Sequence, residues 1–153
     1  MTATDIRLRI ATVDDVPRIL ALYEAAGLDT PGTNDEGQAR ATFETMQHYP
    51  NYHVWIAETA GKAVGTYAMI VLPNLGHRCS PSALVEDVAV HPDAQGLGIG
   101  RRMMEHALVQ ARAAGCYKLA LSSNQSRTAA HAFYEGLGFE RHGYSFKVTI
   151  DAR

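Results

Sequence analysis

The sequence has almost no excess of either charge. Its 14 lysines and arginines stand against 16 aspartates and glutamates, a formal net charge of −2. A chain so balanced carries no basic footprint for nucleic acid and no polybasic patch for an anionic membrane. Long apolar runs are missing too. The longest nearly apolar stretch, AVGTYAMIVL, is too short to span a bilayer. The opening MTATDIRLRIAT has no apolar signal core, which predicts no export and a cytoplasmic protein. There are only two cysteines, Cys79 and Cys116, and they form no CxxC pair. Reduced thiols are therefore expected, not a disulfide framework. The 7 histidines show no HExxH or Cys-His spacing, so no metal site is predicted. Repeats, low-complexity tracts and linkers are likewise missing.

What is present is an ordinary globular composition, 46% hydrophobic and 20% charged, long enough for one domain spanning residues 1–153 with a core of its own. IRLRIAT alternates as a half-buried strand does. Thr12 or Asp14 can cap a helix carrying Pro17 in its first turn and ending at Gly27. A polar, turn-rich loop over 28–37 leads to a second helix from about Asp35 to His48, broken by Pro50 and Asn51. HVWIAET and AVGTYAMIVL flank Ala60-Gly61-Lys62 as a β-hairpin. A loop over 73–82, the strand ALVEDVAV, a helix stopped at Gly115, the strand YKLALSS and the helix TAAHAFYEGL follow. GFERHGYSFKVTI closes the chain as a hairpin-like pair of strands. The order β-α-α-β-β-β-α-β-α-β-β predicts a mixed α/β fold.

The stretch HPDAQGLGIGRRMMEHAL concentrates the chemistry. Three glycines precede what reads as a helix that begins with two arginines. A helix N-terminus has several amides without intrahelical partners and a partial positive charge. Glycines let that backbone approach a ligand closely, so strand, glycine loop and helix make a phosphate cradle. The nucleoside-triphosphate cradle needs GxxxxGK[ST], but Arg101 and Arg102 follow Gly100 here. The dinucleotide cradle needs GxGxxG and an acidic residue further on, where Lys118 and Leu119 stand instead.

A third pattern, Q/RxxGxG, matches Gln95-Gly96-Leu97-Gly98-Ile99-Gly100 throughout, and here the sequence resembles the GCN5-related N-acetyltransferases. Val85 to Pro92 looks like that family's central strand and the turn after it. Leu121 to Asn124 looks like its next strand and exit. Ala130 to Phe139 looks like its helix ending in FYxxxGF, and IRLRIATVDDVPRIL resembles its first strand and helix. Residues 28–82 carry almost no such signature. The cofactor motifs are most similar to the small-molecule branch, with likeness to aminoalkylphosphonate and glucosamine-phosphate N-acetyltransferases.

The resemblance implies an α/β fold in which a mixed central sheet, flanked by about four helices, splays open between two strands. It implies acetyl-CoA as cosubstrate, its arm paired with the backbone of Val88, Ala89 and Val90 as an added strand would be. The amides of Gln95, Gly96, Leu97, Gly98, Ile99, Gly100 and Arg101 would cover the pyrophosphate. Arg127 would add charge and Asn124 would hydrogen-bond the arm; a solvated arginine and a turn asparagine are the plainer alternatives.

Acetyl transfer to an amine needs a neutral amine, a polarised thioester carbonyl and a protonated or stabilised leaving thiolate. A backbone amide on the central strand can polarise the oxygen. The resemblance makes Tyr134 the general acid. Leu84, Glu86, Val88 and Val90 share one face of their strand and Asp87 the other, so Glu86 can take a proton directly or through water if that face lines the acceptor cleft. A salt bridge is the alternative for Glu86, and ordered water is the alternative base. Tyr23, Asp29, Asp35, Glu36, Tyr49 and Tyr52 are candidates for binding the acceptor, a small-molecule amine. A protein amine as acceptor, or a non-catalytic acyl-CoA-binding module, stays open, as does a homodimer.

Overall fold

The alternating segments form one five-stranded sheet whose spatial order follows the sequence: β1 (Arg7–Ile10), β2 (Tyr52–Thr59), β3 (Lys62–Leu72), β4 (Ser82–Val90) and β5 (Lys118–Leu121). The computed structural model describes residues 5–150, which divide into two units after Leu121. The first unit holds the sheet and three helices, α1 (Val16–Ala25), α2 (Glu36–Gln47) and α3 (Ile99–Ala113). The pairs β1–β2, β2–β3 and β3–β4 are antiparallel. β4 and β5 are parallel, which requires a crossover, and α3 is that crossover.

Local chemistry explains the joints. Ala60 and Gly61, with φ of 48° and 75°, make the tight left-handed turn that suits a two-residue hairpin. Asp35 caps α2 by accepting from the Gln38 amide at 2.9 Å. Thr12 leads into a short 3-10 turn, Val13–Asp15, and α1 then starts with Pro17 in its first turn. The loop over 73–82 contains a four-residue turn, Gly76–Cys79, in which His77, Arg78 and Cys79 all have positive φ. The His77 ring stacks on Tyr117 with centroids 3.9 Å apart.

Strand alternation sorts the core into two layers. Val54, Ile56 and Ala68 face α1 and α2, where Val16, Ile19 and Phe43 complete a buried cluster. Trp55, Gly65 and Tyr67 face α3. Met103 and Met104 of α3 are 0% exposed, and each contributes about 1.5–3 kcal/mol by its burial. Gly65 lets α3 come this close: a Cβ there would lie 2.9 Å from the Met103 sulfur and 3.0 Å from Ile99.

The second unit contains α4 (Thr128–Gly136). The strand pair expected over residues 138–150 is not formed, since no helix or strand follows α4 among the described residues. The alternation is there, but a strand exists only through a neighbour's hydrogen bonds, and among the described residues this segment makes backbone hydrogen bonds only from Gly138 and Phe139, back to the end of α4. No described helix is long and apolar enough to cross a membrane.

Candidate active site

β4 and β5 pair only at their beginnings. Ser82 to Val85 align with Lys118 to Leu121, and Glu86 to Val90 have no β5 partner. The sheet therefore parts along the second half of β4, as the splayed arrangement requires. The His91 amide donates to the Val64 carbonyl at 2.9 Å, which makes His91 and Val64 a hydrogen-bonded pair. In an antiparallel ladder the adjacent pair, Val90 and Gly65, then turns its backbone groups away from the partner strand. The amide and carbonyl of Val90 thus point to the side β5 has left. By the same alternation Ala89, opposite Thr66, falls on a pair bonded to β3, which corrects its expected place on the open edge: it is Val90 whose backbone groups face the gap.

The alternation expected along β4 does not run through. Thr66 opposes Ala89 and Ala68 opposes Glu86, so Asp87 and Val88 together stand opposite Tyr67. This is a β-bulge, and Asp87 within it has φ of 52°. Counting in twos from Leu84 consequently fails beyond Glu86, and the single face expected for Leu84, Glu86, Val88 and Val90 is corrected: the extra residue shifts Val88 and Val90 out of step, and Glu86 and Asp87 are both exposed at the bulge. The Asp87 carboxyl is partly desolvated although the residue as a whole is exposed, which raises its pKa, with Asp29 adding repulsion. Burial also raises the phenol of Tyr23, whose neighbours in charge are Asp87, Tyr52 and Asp29. Tyr52 is raised in the same way, by burial, then Asp87 and Glu86. Tyr23, Asp29, Tyr52, Glu86 and Asp87 thus form one electrostatic neighbourhood drawn from α1, the loop after it, β2 and β4.

Three other acceptor candidates have local duties. Asp35 is the cap of α2, Glu36 pairs with Arg40 at 2.9 Å, and Tyr49 is largely exposed and packs edge-on against Tyr52. Asp87 was missed from sequence because one inserted residue leaves no mark on an alternating pattern.

Beyond β4 the chain makes a 3-10 turn, Pro92–Ala94, and enters the glycine stretch. Gly96 and Gly98 have φ of 76° and 81°, values that other residues adopt only with strain. Gly98 is the N-cap of α3 and has no side chain to satisfy its amides. Among the described residues no backbone carbonyl accepts from the amides of residues 96–101. The Gln95 amide already donates to the Pro92 carbonyl at 3.2 Å, which leaves its exposed carboxamide as the group it can offer. Nothing lies within 4 Å of the place a Cβ would take on Gly96. Leu97 is 38% exposed, whereas the Ile99 side chain is buried, so Ile99 contributes only backbone. Arg101 is exposed, with Glu105 4.0 Å away. A 15-residue helix thus presents a row of uncommitted donors and its positive end. An edge of open strand backbone ending in this cradle fits a ligand with an amide-bearing arm and a diphosphate, which is the chemistry of coenzyme A.

The second unit holds Asn124, Arg127 and Tyr134. The Asn124 side-chain oxygen accepts from the Ser126 amide at 2.9 Å and the Ser126 hydroxyl at 2.8 Å, while His131 bonds its main-chain carbonyl at 2.8 Å. Among the described residues the Asn124 side-chain NH2 has no acceptor. Arg127 is the exposed N-cap residue of α4. Tyr134 is half-buried between Phe133 and Phe139, at 5.2 and 5.7 Å between ring centroids. Burial raises its phenol pKa, and Arg127 partly offsets that. The Ser123 hydroxyl is buried and has no hydrogen-bond partner among the described residues. Among the described residues no group of three or more His, Cys, Asp and Glu side chains is placed to hold a metal ion.

A family model described as "Acetyltransferase (GNAT) family" matches residues 19–139. An aminoalkylphosphonate N-acetyltransferase of Salmonella typhimurium is 30% identical over 94% of this chain and 90% of its own length. A glucosamine 6-phosphate N-acetyltransferase of Trypanosoma brucei brucei is 30% identical over 63% of this chain, which spans 64% of that relative's length. A solved structure, a putative acetyltransferase from Agrobacterium tumefaciens, superposes with a TM-score of 0.87 at 33% identity, covering 94% of this chain and 99% of the other.

Proposed function

The chain belongs to the GNAT family of acetyltransferases, and from that premise we propose that it moves the acetyl group of acetyl-CoA to the primary amine of a small molecule. The observation that carries this reading is the open edge of β4 leading into uncommitted amides at the start of α3. We take both units as parts of one catalytic domain spanning residues 1–153.

When bound, acetyl-CoA supplies the thioester carbonyl that the amine attacks. Val88 and Val90 hold its arm through backbone hydrogen bonds, an added-strand mode that is indifferent to their side chains; the Ala89 backbone, opposite Thr66, is taken up by β3 instead. The amides of Gly96, Leu97, Gly98, Ile99, Gly100 and Arg101 hold the diphosphate, with the Gln95 carboxamide beside them. Asn124 donates to the arm from its free NH2, and Arg127 adds positive charge. An outward amide of β4 polarises the carbonyl. Glu86 takes a proton from the amine, directly or through water. Asp87, Tyr23, Tyr52 and Asp29 surround the amine; the carboxyl groups of Asp29 and Asp87 favour a cationic group before it loses its proton, and the neutral phenols offer hydrogen bonds. Tyr134 gives its proton to the departing thiolate. A phenol with a raised pKa remains protonated at neutral pH, which suits that role.

Calorimetric titration of acetyl-CoA tests the cradle. Gly96→Val forces a β-branched residue into a positive-φ position over the diphosphate, and should weaken binding at least about tenfold, or about 1.4 kcal/mol. Tyr134→Phe should bind as the wild type does. Unchanged affinity in Gly96→Val would remove the cradle from the proposal.

A further inference from the structure

We propose that the cavity between α1, the β2–β3 turn and the end of β4 is a binding site for a small organic anion, one with a carboxylate or phosphate head on an apolar body. The cavity measures about 350 Å³, at the small end of the span of ligand pockets, about 300–1,000 Å³. Its walls come from separate elements of the first unit. Arg18, Ala21 and Leu22 are three and four residues apart, so they share one face of α1. The left-handed turn at Ala60 and Gly61 brings Lys62 and Ala63 to the second wall. His91, whose amide donates to the Val64 carbonyl, supplies the third.

The lining sorts by chemistry. Ala21, Leu22 and Ala63 are apolar, Arg18, Lys62 and His91 are donors, and no acid lines the cavity among the described residues. The acids beside Arg18 are Asp15 and Glu58, and Arg9 already bonds both, at 2.7 and 2.6 Å. The Arg18 Nη1 stands 3.6 Å from Asp15 and 3.5 Å from Glu58, outside good hydrogen-bond distance, so its N–H groups are left for a ligand. Arg9 and Arg18 balance Asp15 and Glu58 in charge. Lys62 makes no ion pair among the described residues, so its charge is the unmatched one. The His91 Nδ1 accepts from the Asp93 amide at 3.2 Å and has the Asp93 carboxylate 3.8 Å away, which leaves Nε2 as the ring's donor.

A bare inorganic ion would leave the apolar wall wet, and a neutral apolar molecule would give Lys62 and Arg18 no counter-charge. A molecule with one anionic end and an apolar body answers both. The planar fork of Arg18 fits a carboxylate or a phosphate head alike. The chain carries a net charge of −2, so such an anion is drawn by these local cations and not by the field of the whole molecule. The cavity is also separate from the amides of residues 96–101, because α1 packs on one face of the sheet and α3 on the other.

Amide-resolved NMR titration of the full chain with benzoate and with phenyl phosphate, at constant ionic strength, tests this. At least one probe should shift the amides of Ala21, Lys62, Ala63 and His91 saturably, with a Kd of about 1 mM or below. The tighter of the two identifies the anionic head. Benzyl alcohol, the body without the charge, and inorganic phosphate, the charge without the body, should each bind about tenfold more weakly or worse. Arg18→Gln/Lys62→Gln should weaken the tighter probe about tenfold. Lys62→Gln alone, at an exposed position beside the turn, should keep the fold and weaken it about threefold, which preserves the test if the double variant misfolds. No saturable shift at these amides, equal binding of benzyl alcohol, or unchanged affinity in the folded variants would overturn the proposal. Shifts confined to residues 96–101 would overturn it too, since the anion would then sit at the start of α3. None of these readouts involves acetyl-CoA, so a failure here is distinct from a failure of acetyl transfer.

Discussion

In the proposed reaction Tyr134 is the acid and Asp87 stands beside the amine. Both pKa values are raised by burial, so Tyr134 holds a proton to give while Asp87 ionises less readily than an ordinary carboxylate. Glu86→Gln should lower kcat/KM by about 10²-fold or more if Glu86 is the base. Asp87→Asn should instead raise KM for the amine with kcat nearly kept, since its place is around the cation. Steady-state kinetics for the two variants separate these roles, and the reverse pattern would exchange them. A purely structural acid lies elsewhere. Asp15, 4% exposed, receives both Arg9 NH groups at 2.7 and 2.8 Å and is held at a pKa of about 2. Its native pKa is below its unfolded value of 3.8, so the stabilisation is complete above that value and is lost as pH falls toward 2. Asp15→Asn should cost about 2 kcal/mol at neutral pH and flatten the acid limb of the stability curve, as measured by urea unfolding from pH 5 downward.

At the scale of elements, the position of α3 decides where the cradle stands. Gly65 sets the distance between that helix and β3, and the Tyr67 hydroxyl reaches the His106 Nδ1 at 2.8 Å to hold it there. Gly65→Ala forces Met103 and Ile99 aside and should cost about 1–3 kcal/mol. The acetyl-CoA affinity of the folded protein should fall with it, read by calorimetry. The His106 pKa is lowered, by burial and then by Arg102, so the native state favours the neutral ring. The stability it confers is present above the unfolded value of 6.5 and is lost as pH falls through the lowered native value. His106→Gln should remove that step from a pH series of thermal melts. The elements themselves were readable in the sequence because their signals are local. Asp35 before α2, Ala60-Gly61 between β2 and β3, and Gly115 after α3 each mark a boundary by chemistry that needs no tertiary contact. The bulge at Asp87 and the unpaired segment 143–150 were not readable. Each is decided by what lies alongside, a strand with one residue fewer in the first case and no strand in the second.

At the scale of the whole molecule, the resemblance in the glycine stretch and in FYxxxGF led to the fold and family, since short local motifs are legible without tertiary contacts. The acceptor group was legible only in part. Tyr23, Asp29 and Tyr52 do gather near Asp87, whereas Asp35 and Glu36 serve α2, and composition alone does not separate a loop acid that caps from one that binds. The central claim is transfer of an acetyl group to a small amine with Tyr134 as acid. Free-thiol release from acetyl-CoA measures it directly, across amino acids, aminophosphonates, amino sugars and polyamines, with Tyr134→Phe beside the wild type. The account predicts clear release with at least one class, reduced about 10²–10⁴-fold in the variant, which still binds acetyl-CoA. Tight acetyl-CoA binding with no release from any class would contradict it, and would point to a protein amine or to a binding module without catalysis.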